Sequence, residues 1–282
     1  FLSISAQEKY TISGSVYENS SNETLIGTSI YFPDLNIGTS TNEYGFYSIT
    51  IPQGAHAVSL SYLGYVTINK SINLNSKRTI DFYLYEGSQS LDEVIIESNI
   101  EKVNIKTAQM SINRLTSKTI KQIPVVLGEA DIIKSIILLP GVTSAGEGAS
   151  GFNVRGGAVD QNLILLDEAI VFNSSHVFGF FSVFNPDVIK DVKLFKGGIP
   201  SKYGGRLSSV LDIYQKEGNN KEFKLTGGIG LISSRILAEG PLKKEKSSFL
   251  IGGRSSYAHL FLPLIDNNNK AYFYDLNTKV NY

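Results

Sequence analysis

Three histidines, His56, His176 and His259, are the first side chains to weigh for metal or acid–base chemistry. They lie in separate stretches without a second ligand at metal-binding spacing, and the chain has no cysteine. Neither a zinc cluster nor a thiolate nucleophile is therefore built, and no metal or cofactor is implied. The adjacent acids Asp167 and Glu168 read as a turn. Gly227-Gly228-Ile229-Gly230 is glycine-rich but sits in a strand pattern with no helix after it, which removes the geometry that cradles phosphate. A lone Arg155-Gly156-Gly157 does not make an RNA-binding repeat. With 26 basic and 26 acidic residues, no net charge draws nucleic acid. The sequence does not read as an enzyme.

Two segments offer recognition chemistry instead. Leu91-Asp92-Glu93-Val94-Ile95-Ile96 is a short β-branched run between polar stretches. In an extended state it suits capture by a partner's sheet edge through main-chain hydrogen bonds; the plainer reading is one more strand. Asn173, His176 and Phe178 place hydrogen-bonding groups and an aromatic face in one polar loop, where they could touch a ligand. The plainer reading there is solvent.

The elements that must position these segments change character along the 282 residues. Hydrophobic residues make up 42%, with 26 Gly, 15 Tyr, 15 Phe and no Trp, a profile that suits β-structure with many turns. No run of 18 apolar residues occurs, so a membrane span would have to be a β-barrel. From Tyr10 to Leu84, alternations at Ile12-Gly14-Val16, Tyr47-Ile49-Ile51, Val58-Leu60-Tyr62 and Ile80-Phe82-Leu84 are broken by turn signals. They predict a small β-sandwich, with Gly45 supplying a positive φ in a hairpin. Residues 105–217 are mixed. Acids at Glu129 and Asp131 open a helix with Ile132, Ile133, Ile136 and Ile137 on one face, and Pro140-Gly141 stops it. Strands at Phe152–Gly157 and Asn162–Asp167 flank a turn.

From Glu222 long alternating strands appear. Phe223, Leu225, Ile229 and Leu231 share one side, and Ile236 and Ala238 lie on a short strand predicted to end at Gly240-Pro241. Phe249, Ile251 and Tyr257 alternate with Arg254 and Ser256. Tyr272, Tyr274, Leu276, Val280 and Tyr282 alternate with Asp275, Asn277, Lys279 and Asn281. A lipid-facing barrel wall has this pattern, and so does a soluble antiparallel sheet.

Several motifs resemble known families. Ile12 to Val16, Gly38 to Tyr47, Pro52-Gln53-Gly54 and Ser61 to Tyr65 resemble the carboxypeptidase-regulatory-like domain, a transthyretin-like sandwich without peptidase chemistry. The hexapeptide Leu91–Ile96 resembles a TonB box. Ile123-Pro124, Leu138 to Val142, Phe152 to Gly157, Asp160 to Asn162, Leu166-Asp167, Phe184 to Asp187, Lys196-Gly197-Gly198 and Tyr203 to Val210 resemble the plug domain of TonB-dependent receptors.

The resemblance implies a mainly β chain. Phe1 to Ala6, with small Ser and Ala residues before Gln7, read in themselves as a signal-peptide remnant at 1–6. The further expected parts are a sandwich at 7–86, a linker with the box at 87–104, an α/β plug at 105–217 and the first strands of a transmembrane β-barrel at 218–282. The family's barrel has roughly 22 strands, so the protein is expected to continue past Tyr282. The implied function is energised uptake of a scarce nutrient across the bacterial outer membrane, with the sandwich and box in the periplasm. Expected partners are the TonB-ExbB-ExbD complex, outer-membrane lipid and a small-molecule, peptide or glycan ligand. A surface lipoprotein lid is a further partner that the resemblance admits. The rival readings are a surface scaffold or adhesion protein without transport, a signal transducer and, third, an enzyme.

Overall fold

The computed structural model describes residues 8–87, 111–123, 129–146, 151–176, 179, 181–260 and 272–282. The expected leader at 1–6, the box at Leu91–Ile96 and Phe178 lie outside the described residues. The chain divides into two compact units, residues 1–108 and 109–282.

In the first unit, alternation over β1 (Lys9–Glu18) buries Ile12 and Val16, and polar neighbours face outward. β1 is joined antiparallel by β4 (Phe46–Pro52) and in parallel by β7 (Arg78–Thr79) and β8 (Phe82–Leu84). A second sheet has the order β3 (Ile37–Ser40), β2 (Ser29–Phe32), β5 (Gly54–Ser61), β6 (Ile68–Leu74). Ile12, Val16, Tyr47, Ile51 and Phe82 meet Ile30, Phe32, Val58, Leu60 and Leu74 in one apolar core, which makes the expected sandwich. Between β3 and β4, Asn42 Oδ1 accepts the amides of Tyr44 and Phe46, each at 3.0 Å. Gly45 then turns at φ +73°, where a Cβ would stand 2.6 Å from Thr24 Cβ, so the turn requires glycine.

The second unit is built on a five-stranded sheet. Its order is β13 (Ala169–Ile170), β12 (Asn162–Leu166), β17 (Ser209–Gln215), β16 (Ile189–Phe195), β9 (Ile112–Thr116). β12 and β17 run parallel and the other pairs antiparallel. One face carries Leu115, Val192, Leu194, Leu211 and Ile213 against the short helices α1 (Ser117–Gln122) and α2 (Ile132–Ile137). The acid-led helix start is confirmed at Asp131, which caps α2 by accepting Lys134 N–H at 3.0 Å, and Ile132, Ile133 and Ile136 are buried. The strands expected around residues 158–161 both form but do not pair with each other. β11 (Phe152–Val154) joins β10 (Val142–Ser144), and β12 joins β17. Asn162 ties the two ladders together, donating to Phe152 O at 2.6 Å and accepting from Ser209 Oγ at 2.7 Å.

A hairpin of β14 (Ser175–His176) and β15 (Phe181–Ser182) precedes the wall strands. β18 (Lys224–Ile229), β19 (Ser233–Lys243), β20 (Ser247–Ser256) and β21 (Tyr274–Asn281) then form an antiparallel meander. β19 does not stop at Gly240-Pro241 but runs to Lys243. The missing N–H of Pro241 is absorbed where the β19–β20 register shifts, between Pro241 and Lys243.

Candidate functional site

Alternation sorts the wall side chains onto two faces with opposite chemistry. Leu225, Ile229, Ile236, Ile251, Tyr274, Leu276 and Val280 are exposed on one side, Ile229 at 90%. The other side meets the plug. Its apolar contact is small: Leu237 and Leu250 of the wall enclose Val188 of the plug. Gly252 makes that approach possible, since a Cβ there would stand 2.4 Å from Val188 Cγ2.

Around this spot the contacts are ionic. Arg254 on β20 is buried between plug and wall. It donates to Glu129 at 2.5 Å, to Ser182 O at 2.6 Å and through Nε to Asp275 at 2.8 Å. Ser233 adds a hydroxyl to Glu129. On β14, His176 Nε2 lies 2.5 Å from Asp275 Oδ1, and its ring stacks on Phe273 at 4.5 Å. Ser182 also donates its N–H to Asp131 Oδ2 at 2.7 Å, which links the hairpin to the cap of α2. Lower-charge clusters repeat the scheme. Arg235 of β19 and Lys121 of α1 grip Asp187 at 2.6 and 2.7 Å, and Lys279 of β21 meets Asp167 at 2.8 Å.

Burial opposes the charge of Asp187, but Lys121 and Arg235 outweigh it and hold the carboxyl below the usual range. Asp191, on β16 in the plug sheet, goes the other way. Burial pushes its carboxyl up, and Arg114 at 2.9 Å, helped by Lys193 and Lys190, only partly compensates. Its Oδ1 has no hydrogen-bond partner among the described residues. Removing one partner of a buried pair such as Arg254–Glu129 costs about 3–5 kcal/mol, because a desolvated charge is left alone. An interface held this way is specific in register, yet once parted its surfaces are wetted readily.

The structure thus places the expected loop residues in different settings. Asn173 is exposed, and its Oδ1 accepts Ser175 N–H at 3.2 Å. His176 is half-buried on the wall contact. The acids Asp167 and Glu168 form the expected turn, both at positive φ, and Asp167 also accepts Gln215 N–H at 2.8 Å. Arg254, Asp275 and Lys279 are legible in the sequence as the polar side of strands, but their pairing with Glu129, His176 and Asp167 carries no sequence signal, since each pair spans 99 or more residues.

Two family models match the chain in succession. Residues 12–96 match the CarboxypepD_reg-like domain, and residues 101–209 match the TonB-dependent Receptor Plug Domain. No individual curated protein matches the chain. Similar solved structures include the siderophore receptor PirA from Acinetobacter baumannii, at 20% identity over 52% of this chain and 24% of that one, with a TM-score of 0.41. The ferric enterobactin receptor PfeA from Pseudomonas aeruginosa is 19% identical over 52% and 25%, with a TM-score of 0.39. The copper transporter OprC is 14% identical over 51% and 23%, with a TM-score of 0.38. The chain spans about a quarter of the length of these proteins. The chain thus carries a CarboxypepD_reg-like domain followed by a TonB-dependent receptor plug domain, an order consistent with a TonB-dependent receptor.

Proposed function

We propose that this receptor imports a scarce extracellular nutrient across the bacterial outer membrane, through a β-barrel that the plug closes at rest. The observation that carries the reading is the two-faced wall. One side of the meander is exposed and apolar, and the other is tied to the plug by ion pairs. The 11 residues of β19 and 10 of β20 match the roughly 9–11 residues of a tilted membrane-spanning strand. β18 and β21 each pair on one side only within the described sheet, and a sheet in hydrocarbon must close on itself. Further strands completing a barrel are part of this reading.

An outer membrane holds neither ATP nor an ion gradient, so the work must come from a partner. The reading assigns that role to TonB, with ExbB and ExbD, gripping Leu91–Ile96 as an added strand on the periplasmic side. Ligand would bind outside, over the Asn173–His176 loop and Phe178, and the pull would part the ionic plug–wall contacts. The sandwich would lie with the box in the periplasm. Proline at Val94 or Ile95 removes a main-chain donor that such a grip uses. Val94→Pro is expected to abolish energised uptake with ligand binding intact, measured with labelled nutrient on whole cells. Normal uptake by that variant overturns the box assignment, and uptake indifferent to the proton gradient overturns the importer in favour of a binding scaffold.

A further inference from the structure

Beside β12 and β13 lies an open cavity of about 380 Å³, within the range of about 300–1,000 Å³ typical of small-ligand sites. Ile164 and Ile170 give it an apolar side, and Phe172, 87% exposed, offers a ring face. Its polar lining holds two opposite charges. Asp160, on the 3₁₀ turn Val159–Gln161, has no hydrogen bond or ion pair to its carboxylate among the described residues. Arg206 donates only to the neighbouring Gly205 O, at 3.1 Å, and meets no carboxylate among them. Asn173 has its Oδ1 engaged by Ser175 N–H, which leaves the side-chain NH2 to donate.

A wholly anionic ligand would face Asp160 here, and a wholly cationic one would face Arg206. A molecule carrying both charges at its ends and an apolar body between them satisfies the guanidinium, the carboxylate and the ring together. We propose that this cavity is the plug's share of the substrate site and that it takes a zwitterion of that build, a short peptide with free termini. Arg206 and Asn173 receive the carboxylate, Asp160 receives the ammonium, and Phe172 and Ile170 receive the apolar side chain. The assignment rests on the importer reading and narrows it to a substrate class.

Calorimetry on the whole receptor in detergent tests it, with alanylphenylalanine and its N-acetylated and C-amidated forms as probes. The free dipeptide is expected to bind, and each block to weaken binding about tenfold or more, the worth of one charge-assisted contact. Arg206→Gln is expected to lose the penalty for amidation and keep that for acetylation, with Asp160→Asn showing the reverse. Both side chains are exposed, and comparing outer-membrane yields of the variants checks that they fold. Absence of dipeptide binding, or binding indifferent to both blocks, overturns the proposal. If gradient-driven growth on another nutrient persists in that case, the importer reading stands and only the substrate class falls.

Discussion

Two aspartates near one another in sequence show how the same side chain takes opposite roles. Asp187 is held by Lys121 and Arg235, so its folded pKa lies below the unfolded one. Its contribution is present above the ordinary carboxylate value of about 4 and is lost as pH falls through the folded value. Asp191 is raised, so its contribution is present only below about 4 and is lost as pH climbs through its folded value. Asp187→Asn is therefore expected to destabilise the plug at pH 7, with the difference from the parent protein fading in strong acid. Asp191→Asn is expected to leave stability unchanged or higher at pH 7, because its Arg114 partner is partly exposed and keeps water. Hydrogen exchange of the plug amides between pH 3 and pH 7 reads both. Equal protection in the two variants at pH 7 would contradict these assignments. Neither role was legible in the sequence. The Phe184 to Asp187 motif marked the place, but the cations that set the charge come from β9, α1 and β19.

At the scale of elements, local signals gave reliable guidance where the chain talks to itself. The α2 cap, the Gly45 turn and the two-residue alternation of β18–β21 are all short-range, and each appears where the sequence put it. Pairing partners are long-range, so β11 and β12 were found and their neighbours were not. The end of β19 was misplaced because Pro241 breaks a regular strand but not one with a register shift beside it. Gly252 belongs to the same class. It looks like one more glycine in a barrel strand until Val188 is found against it. Gly252→Leu is expected to push the plug off the wall at that point, costing about 1–3 kcal/mol as overpacking does. Faster proteolysis of the plug, with the wall still inserted, would show it. An unchanged cleavage rate would mean that the Val188 contact does not hold the plug.

For the whole molecule, the decisive feature is the interface of charge pairs within residues 109–282. That interface joins a plug legible from its motifs to a wall whose pattern alone could not choose between lipid and water. The account therefore turns on the environment of the exposed face of β21. The chain lacks cysteine, so single cysteines can be introduced along Tyr274 to Val280 and labelled with a fluorophore in the receptor reconstituted in brominated lipid. Labels at Tyr274, Leu276 and Val280 are expected to be quenched by the acyl chains, and labels at Asp275, Asn277 and Lys279 to be spared. Quenching without this two-residue alternation, or none at any position, would contradict a wall with lipid on one side and the plug on the other.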